Sequence, residues 1–262
     1  MTDAQERPDM HERADMQERA DAQQPPDAQQ WADAQQRADV QERPDALTED
    51  AARREISDVR IRWRTRQVLD AAVRLMNGDG FHAVSMQALA READISVGLI
   101  YKYFGGKEDV VVAVVLDLVG EIQRAISDRM EAAGEDPVER LAAGFAAYCA
   151  VMDSHRNASL LTYRQSGVLS SQARNRIKMG ELSNLSTLRK AAAQAADAGL
   201  LAAGVDVDLL VFDLMLLAQG WALKSWHFPA SYDVGRYITA QTAAVLRSAL
   251  ADGARASYSH LI

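Results

Sequence analysis

The sequence predicts an all-α protein. Apolar residues recur at spacings of three and four along most of the 262-residue chain, alanine and leucine abound, and alternating strand-like runs are almost absent. Clusters of Gly, Asn, Asp and Pro divide the periodic text into about nine helices.

Taken in order, the first helix is expected over roughly 60–77, where Val68, Ala72, Leu75 and Met76 share a face. Asn77-Gly78 and Gly80 close it. Ser85 is placed to cap a short second helix that reaches about Ala93. Asp94-Ile95-Ser96 reads as a tight turn, and Ser96 caps a third helix that stops at Gly105-Gly106. A fourth runs from about Lys107 to Met130 and ends at "AAGEDP". Further helices follow at about 137–154, 158–168, 171–198, 206–227 and 233–251. Asp153-Ser154, Gly167, Gly199 with Gly204, and "HFPASYD" separate them.

Charge is divided unevenly. The formal net charge is −8, yet residues 1–50 alone carry fourteen acids against five arginines. Residues 51–110 carry ten basic and eight acidic side chains, with Arg53, Arg54, Arg60, Arg62, Arg64 and Arg66 opposed only by Glu55 and Asp58 nearby. Charge read by segment therefore permits an anionic partner for the second stretch.

The acidic stretch is a tandem hexad that begins MTDAQE, RPDMHE, RADMQE, with aspartate in third place from Asp3 through Asp45. Six residues turn a helix by about 600°, so successive aspartates fall on different faces and no apolar stripe forms. Prolines 8, 25, 26 and 44 interrupt it, and Trp31 is its one aromatic. Residues 1–52 are expected to be a disordered tail. The start of the chain has no cationic-then-apolar pattern, so no signal peptide is expected. The longest apolar run, Val110 to Leu116, is too short for a ~20-residue membrane span. Cys149 is the single cysteine, which excludes an intrachain disulfide and fits a cytoplasmic protein.

Three short helices with a tight turn between the second and third form a helix-turn-helix candidate, whose last helix enters the major groove. "SVGLIYKYFGG" at 96–106 fits that role. Ile100 and Phe104, four apart, face a core with Leu89 and Leu75. Tyr101 and Tyr103 carry hydroxyls toward phosphate, Lys102 reaches a base edge or a phosphate, and Gly98 allows close approach to DNA. The arginines of the first helix, Arg62, Arg64 and Arg66, add attraction independent of sequence. The bland reading is a solvated helix with its rings packed on neighbours.

Residues 62–116, from "RWRTRQVLDAAVRLMNGDGF" to "YKYFGGKEDVVVAVVL", resemble the DNA-binding domain of TetR-family transcriptional regulators. Tyr101, Tyr103-Phe104 and Lys107-Glu108 match that family's run, as do Leu69-Asp70-Ala71-Ala72, Gly80-Phe81 and Ser85-Met86 with Ala90. The resemblance implies a TetR-like homodimer that binds a palindromic double-stranded DNA operator and is released by a small-molecule effector. It implies a helix-turn-helix domain over 53–106, a helical ligand-binding and dimerisation domain over 107–252, and a C-terminal tail over 253–262. Carried over residue by residue, Ser85 and Gln87 approach phosphate or base, Val97, Gly98, Leu99 and Lys102 face bases, and Tyr101, Tyr103 and Lys107 hold phosphates. Three departures stand out. Asp94 replaces the common turn glycine, and aspartate tolerates a left-handed backbone. Leu99 favours contact with a thymine methyl over a hydrogen bond. Gly106 replaces a common serine cap, so the fourth helix starts with a weaker cap.

Enzyme chemistry finds little support. Phosphate-loop, dinucleotide and nucleophile-elbow motifs are absent, and His11, His82, His155, His227 and His260 lack ligand spacing. No metal or cofactor is expected. The second half instead sets polar and aromatic residues among aliphatic helices: Tyr148 and Met152 four apart, Tyr163-Arg164-Gln165, and "QGWALKSW" with Trp221, Lys224 and Trp226. Bundles hold small ligands between helices in apolar pockets with a few polar groups, although each aromatic alone is more often core. "LLTYRQSGVL" and "GWALKSW" are similar to TetR regulators of fatty-acid and sterol catabolism. That implies an acyl-CoA effector, a long apolar tunnel, and Arg164 or Lys224 on the CoA phosphates. Leu209, Leu210, Leu214, Leu217, Val245, Leu246 and Leu250 supply apolar stripes for a four-helix dimer interface, with Asp213 in the first stripe. The competing class is a small-molecule-binding or scaffolding protein without sequence-specific DNA binding.

Deleting residues 1–50 tests the tail. Melting temperature should barely move, and DNA affinity at low salt should hold or rise, because tethered acids compete with phosphate for the neighbouring arginines. The gain should fade with added salt, since exposed charges are screened over about 8–10 Å. A truncated chain that unfolds or stops binding DNA would make the tail a structural element.

Overall fold

The computed structural model describes residues 59–78, 83–165 and 169–262. The hexad repeats, Arg53-Arg54, Gly80-Phe81 and Gly167 lie outside the described residues. The chain divides into two units, Met1–Arg62 and Trp63–Ile262. In the first, residues 59–62 are helical and exposed. The second holds the remaining described residues.

Among the described residues every regular element is a helix. We number them α1 (63–78 in this unit), α2 (Met86–Glu92), α3 (Val97–Tyr103), α4 (Lys107–Ala132), α5 (Pro137–Ser154), α6 (Arg156–Gln165), α7 (Ser171–Asp197), α8 (Val207–Lys224) and α9 (Val234–Ala249). A 3-10 turn, Ser225–His227, follows α8, and an isolated antiparallel bridge joins Leu201 to Leu250. None of the described helices is long and apolar enough to cross a membrane.

Helix starts follow side-chain chemistry. Ser85 accepts from Ala88 N at 3.1 Å and Ser96 from Leu99 N at 3.2 Å, each satisfying an otherwise orphan donor. Asp136, Asp206 and Asp233 cap α5, α8 and α9 in the same way. Gly106 offers no side-chain cap to α4, as its sequence implies. Glu108 and Asp109 in the first turn offset this by facing the positive end of the helix dipole.

The turn between α2 and α3 rests on Asp94, the one described non-glycine residue with positive φ, at 52°. Around it Ile95 N bonds to Ala90 O at 3.0 Å and Asp94 N to Arg91 O at 3.3 Å. This is a Schellman closure with the left-handed residue just past the helix. Ile95, next in the chain, packs on the core.

α1, α2 and α3 bury Val68, Ala72, Met76, Leu89, Ile100 and Phe104 together. α4 then runs 26 residues and buries Val110, Val111, Val114, Val115, Leu118, Val119, Ile122, Ile126 and Met130, so one rod serves both the three-helix head and the larger helical body. The body packs α4 and α7 around α5 and α8. Cys149 is fully buried in it, its thiol pushed up to about 12 by that burial, and it acts as a small hydrophobe. Residues 253–262, read from sequence as a tail, form turns in which Ala254 and Tyr258 are buried. Tyr258 Oη bonds to Asp136 Oδ2 at 2.8 Å, and His260 Nε2 lies 2.7 Å from Glu139 Oε1.

The left-handed turn gives a test. Asp94→Val should lower unfolding stability by ~1–2 kcal/mol, because a β-branched side chain is strained at that backbone angle, whereas Asp94→Gly should not. Chemical denaturation of the three proteins reads the difference. Equal midpoints for Val and Asp would show that the turn relaxes without cost.

Candidate DNA-reading face and effector cavity

α3 is seven residues long and two-faced. Ile100 is fully buried, and Phe104 at its end is 6% exposed. Tyr101 is 53% exposed and Lys102 is exposed beside it. Gly98 is exposed, and a Cβ built there would meet nothing within 4 Å. Packing within the chain therefore does not demand glycine at 98. Val97, Leu99 and Tyr103 are half-buried, with Val97 and Tyr103 packed against the core. On α2, Gln87 is exposed and shares a surface groove with Val97 and Ser96.

Other residues singled out in the sequence have intramolecular work. Ser85 is the α2 cap. Lys107 Nζ donates to Val84 O at 2.8 Å, tying the start of α4 to the segment before α2. Arg64 Nη1 donates to Gln67 Oε1 at 3.1 Å, and its guanidinium lies 4.8 Å from the Trp63 ring centre. Arg66 bridges to Asp117 of α4 at 2.6 Å and to Asp70 at 3.4 Å. Arg62 belongs to the first unit and is exposed there. The structure thus brings Gln87, Gly98, Tyr101 and Lys102 to the open face, while Ser85, Arg66 and Lys107 brace it.

In the body, a cavity of about 320 Å³ opens between α4, α5, α6, α7 and α8. Val115, Leu118, Val119, Ile122, Met152, Leu169, Ile177 and Leu223 give it apolar walls. Of the residues expected at a ligand site, Tyr148, Met152 and Tyr163 line it. Arg164 is exposed on α6 outside that lining, and Gln165 ends the same helix. Trp221 sits in the core instead. It is 2% exposed, its ring is 4.8 Å from Tyr237, and its Nε1 donates to Asp153 Oδ1 at 2.7 Å. Lys224 lies over the Trp226 ring at 5.5 Å, and Trp226 is 74% exposed. The apolar walls are interrupted by the polar side chains of Tyr148, Glu181, Asn184 and Gln219.

Sequence reasoning missed the α7 contribution. Arg174, Lys178, Glu181 and Asn184 all line the cavity. Their spacing of four, three and three sets them on one helix face, which was the available signal. Arg174 and Lys178 are exposed as well as lining, so they stand where the cavity meets solvent. Arg174 donates to the Leu169 carbonyl. Burial raises the Glu181 carboxyl above its ordinary range. Burial likewise raises the Tyr148 hydroxyl, which is hydrogen-bonded to Gln219.

Comparison with known proteins decides the family. Residues 68–114 match the family described as bacterial regulatory proteins, tetR family. The HTH-type transcriptional regulator HbdR of Aromatoleum sp. (strain CIB) is 34% identical over 175 residues, covering 67% of this chain and 76% of that protein. This chain belongs to the TetR family. It is a DNA-binding transcriptional regulator and not an enzyme, which sets aside the scaffolding alternative. Solved TetR-family structures share the fold. A regulator from Rhodococcus RHA1 aligns with a TM-score of 0.64 at 19% identity, over 72% of this chain and 98% of the other. AibR, solved in complex with isovaleryl coenzyme A and operator DNA, aligns with a TM-score of 0.57 at 19% identity, over 68% and 95% of the two chains.

The raised carboxyl in this TetR regulator has a pH signature. Glu181 is held above its unfolded value, so the folded state disfavours the charged form and stability falls as pH rises through the folded value. Glu181→Gln should raise Tm at neutral pH, and the advantage should vanish as pH falls below the ordinary glutamate value of about 4.3. Melting curves from pH 4 to pH 8 check this. A gain equal at both ends would assign the effect to something other than titration.

Proposed function

We propose that this TetR regulator is a cytoplasmic homodimeric repressor that binds a palindromic operator and is released by a CoA thioester. In this reading residues 1–52 are a tail, 53–106 read DNA, and 107–252 bind effector and partner, with 253–262 closing the chain. The observation that carries the DNA half is the two-faced α3. Ile100 and Phe104 are buried, while Gly98, Tyr101 and Lys102 are open to solvent. A glycine that internal packing does not require suits close approach of a DNA backbone. Gly98, Leu99, Val97 and Lys102 face bases, with Gln87 beside them. Tyr101 and Tyr103 hold phosphates, and Ser85, Arg62, Arg64, Arg66 and Lys107 support backbone contact.

The effector half rests on the cavity. Its walls suit an acyl group, and Arg174 and Lys178 at its opening suit the phosphates of coenzyme A. AibR, whose structure holds isovaleryl coenzyme A, shares the fold. The dimer rests on α8, where Leu209, Phe212 and Leu216 are exposed at spacings of three and four. Leu210, Leu214, Leu246 and Leu250 are buried within the protomer, and Asp213 is exposed. An isologous pairing of the exposed stripes covers an apolar face that water otherwise meets.

Gel shifts over the promoter beside its own gene test the DNA half. Lys102→Ala should cost ~1–3 kcal/mol and relax sequence preference, as loss of a base contact does. Tyr101→Phe should weaken all sequences alike, as loss of a phosphate contact does. Equal loss of preference in both variants would overturn the assigned roles, and indifference between promoter and random DNA would overturn the repressor reading. A thermal-shift series with acyl-CoAs tests the effector half, because a ligand of the folded state raises Tm by mass action.

A further inference from the structure

The cavity carries polar groups that a plain acyl chain would not use. Asn184 of α7 is 1% exposed. Its Nδ2 donates across to Val119 O of α4 at 3.2 Å, while its Oδ1 is buried and accepts from no described residue. Three residues earlier on the same face stands Glu181, and α5 and α8 bring in the hydrogen-bonded pair Tyr148 and Gln219. Four polar side chains therefore line the one cavity, and among them Asn184 Oδ1 is the acceptor without a described partner. The desolvation of Asn184 Oδ1 is incurred on folding, before any ligand arrives. A ligand donor placed there gains a hydrogen bond without a matching loss on the protein side, whereas a methylene gains only contact.

We propose that the effector is a CoA thioester whose acyl group is hydroxylated, with the hydroxyl donating to Asn184 Oδ1. This rests on the thioester reading above and adds the acyl class to it. The apolar residues around the acceptors, Val119 and Ile122 among them, hold the carbon skeleton.

Calorimetric titration of the full chain with matched thioesters decides it. The pairs are octanoyl-CoA against 7-hydroxyoctanoyl-CoA, and cyclohexanecarbonyl-CoA against its 4-hydroxy derivative. The hydroxylated member of at least one pair should bind about ten-fold tighter. Asn184→Leu should remove that preference and leave the affinity of the plain member within about three-fold. The pairs are measured on the unaltered chain, so the outcome does not depend on the variant folding. If both members of each pair bind alike, or if Asn184→Leu keeps the preference, the hydroxyl proposal fails and the thioester reading stands. If no thioester binds at all, the thioester reading itself fails and takes the proposal with it.

Discussion

The burial of α4 on two fronts is the constraint on which the rest of the larger unit depends. Valine is a poor helix former, because its branched Cβ loses rotamer freedom against the preceding turn. Yet α4 opens with Val110, Val111, Val112, Val114 and Val115, all buried. Local propensity would not hold such a segment helical, and Gly106 gives it no side-chain cap. Tertiary burial does hold it. Its valines, like Ile126 and Met130 further along, belong to one core that also holds Leu89, Ile100 and Phe104 of the head and Leu141, Phe145 and Leu188 of the body. Lys107 bonding to Val84 O and Glu108 accepting from Ser170 N at 2.6 Å pin its start to both sides. If that burial is lost, the reading helix and the cavity lose their common wall together.

That common wall also decides how the two sites can influence each other. Among the described residues, polar links that tie the head to α4 and the body include the Arg66–Asp117 bridge and Asn77 Nδ2 donating to Asn157 O at 2.6 Å, and Glu108 of α4 bonds to Ser170 N. Both partners of the salt bridge are more than a third exposed. Exposed pairs of this kind contribute about 0–1 kcal/mol, whereas useful coupling between two ligand sites amounts to about 1–3 kcal/mol. The packed stripe of α4 is the larger carrier. Val115, Leu118, Val119 and Ile122 touch the cavity, and Val110 and Val111, one to three turns away, are fully buried. Close-packed interiors transmit strain, and α4 is the element that the cavity and the shared core have in common.

Much of this was legible in the sequence because the informative residues act locally. Ser85, Ser96, Asp136 and Asp206 signal helix starts through their own side chains, and Asp94 signals the left-handed turn through its own backbone. The two faces of α3 follow from the spacing of Ile100 and Phe104. What was not legible depends on what a residue meets far along the chain. Arg66 reads as an unpaired cation until Asp117, fifty-one residues on, is beside it. Trp221 reads as a ligand platform until Asp153, sixty-eight residues away, takes its N–H. Leu209 and Leu210 are equivalent in composition, yet one is 55% exposed and the other 8%, because adjacent positions on a helix point about 100° apart.

α7 is the instructive case. Arg174, Lys178 and Glu181 look like a solvated charged face, and for the first two that is half true, since they are exposed at the rim. Glu181 and Asn184, on the same stripe, turn into the body. Burying a carboxyl and an unpartnered amide oxygen costs stability, and apolar side chains of similar volume there would be neutral or stabilising. A core built for stability alone would place leucine at these positions, as it does at Leu188, the next turn along, which is fully buried. The change from polar to apolar between Asn184 and Leu188 marks where the helix stops lining a cavity and begins to pack. The polar half of the stripe sits where a ligand can compensate it, and the apolar half where only the protein can.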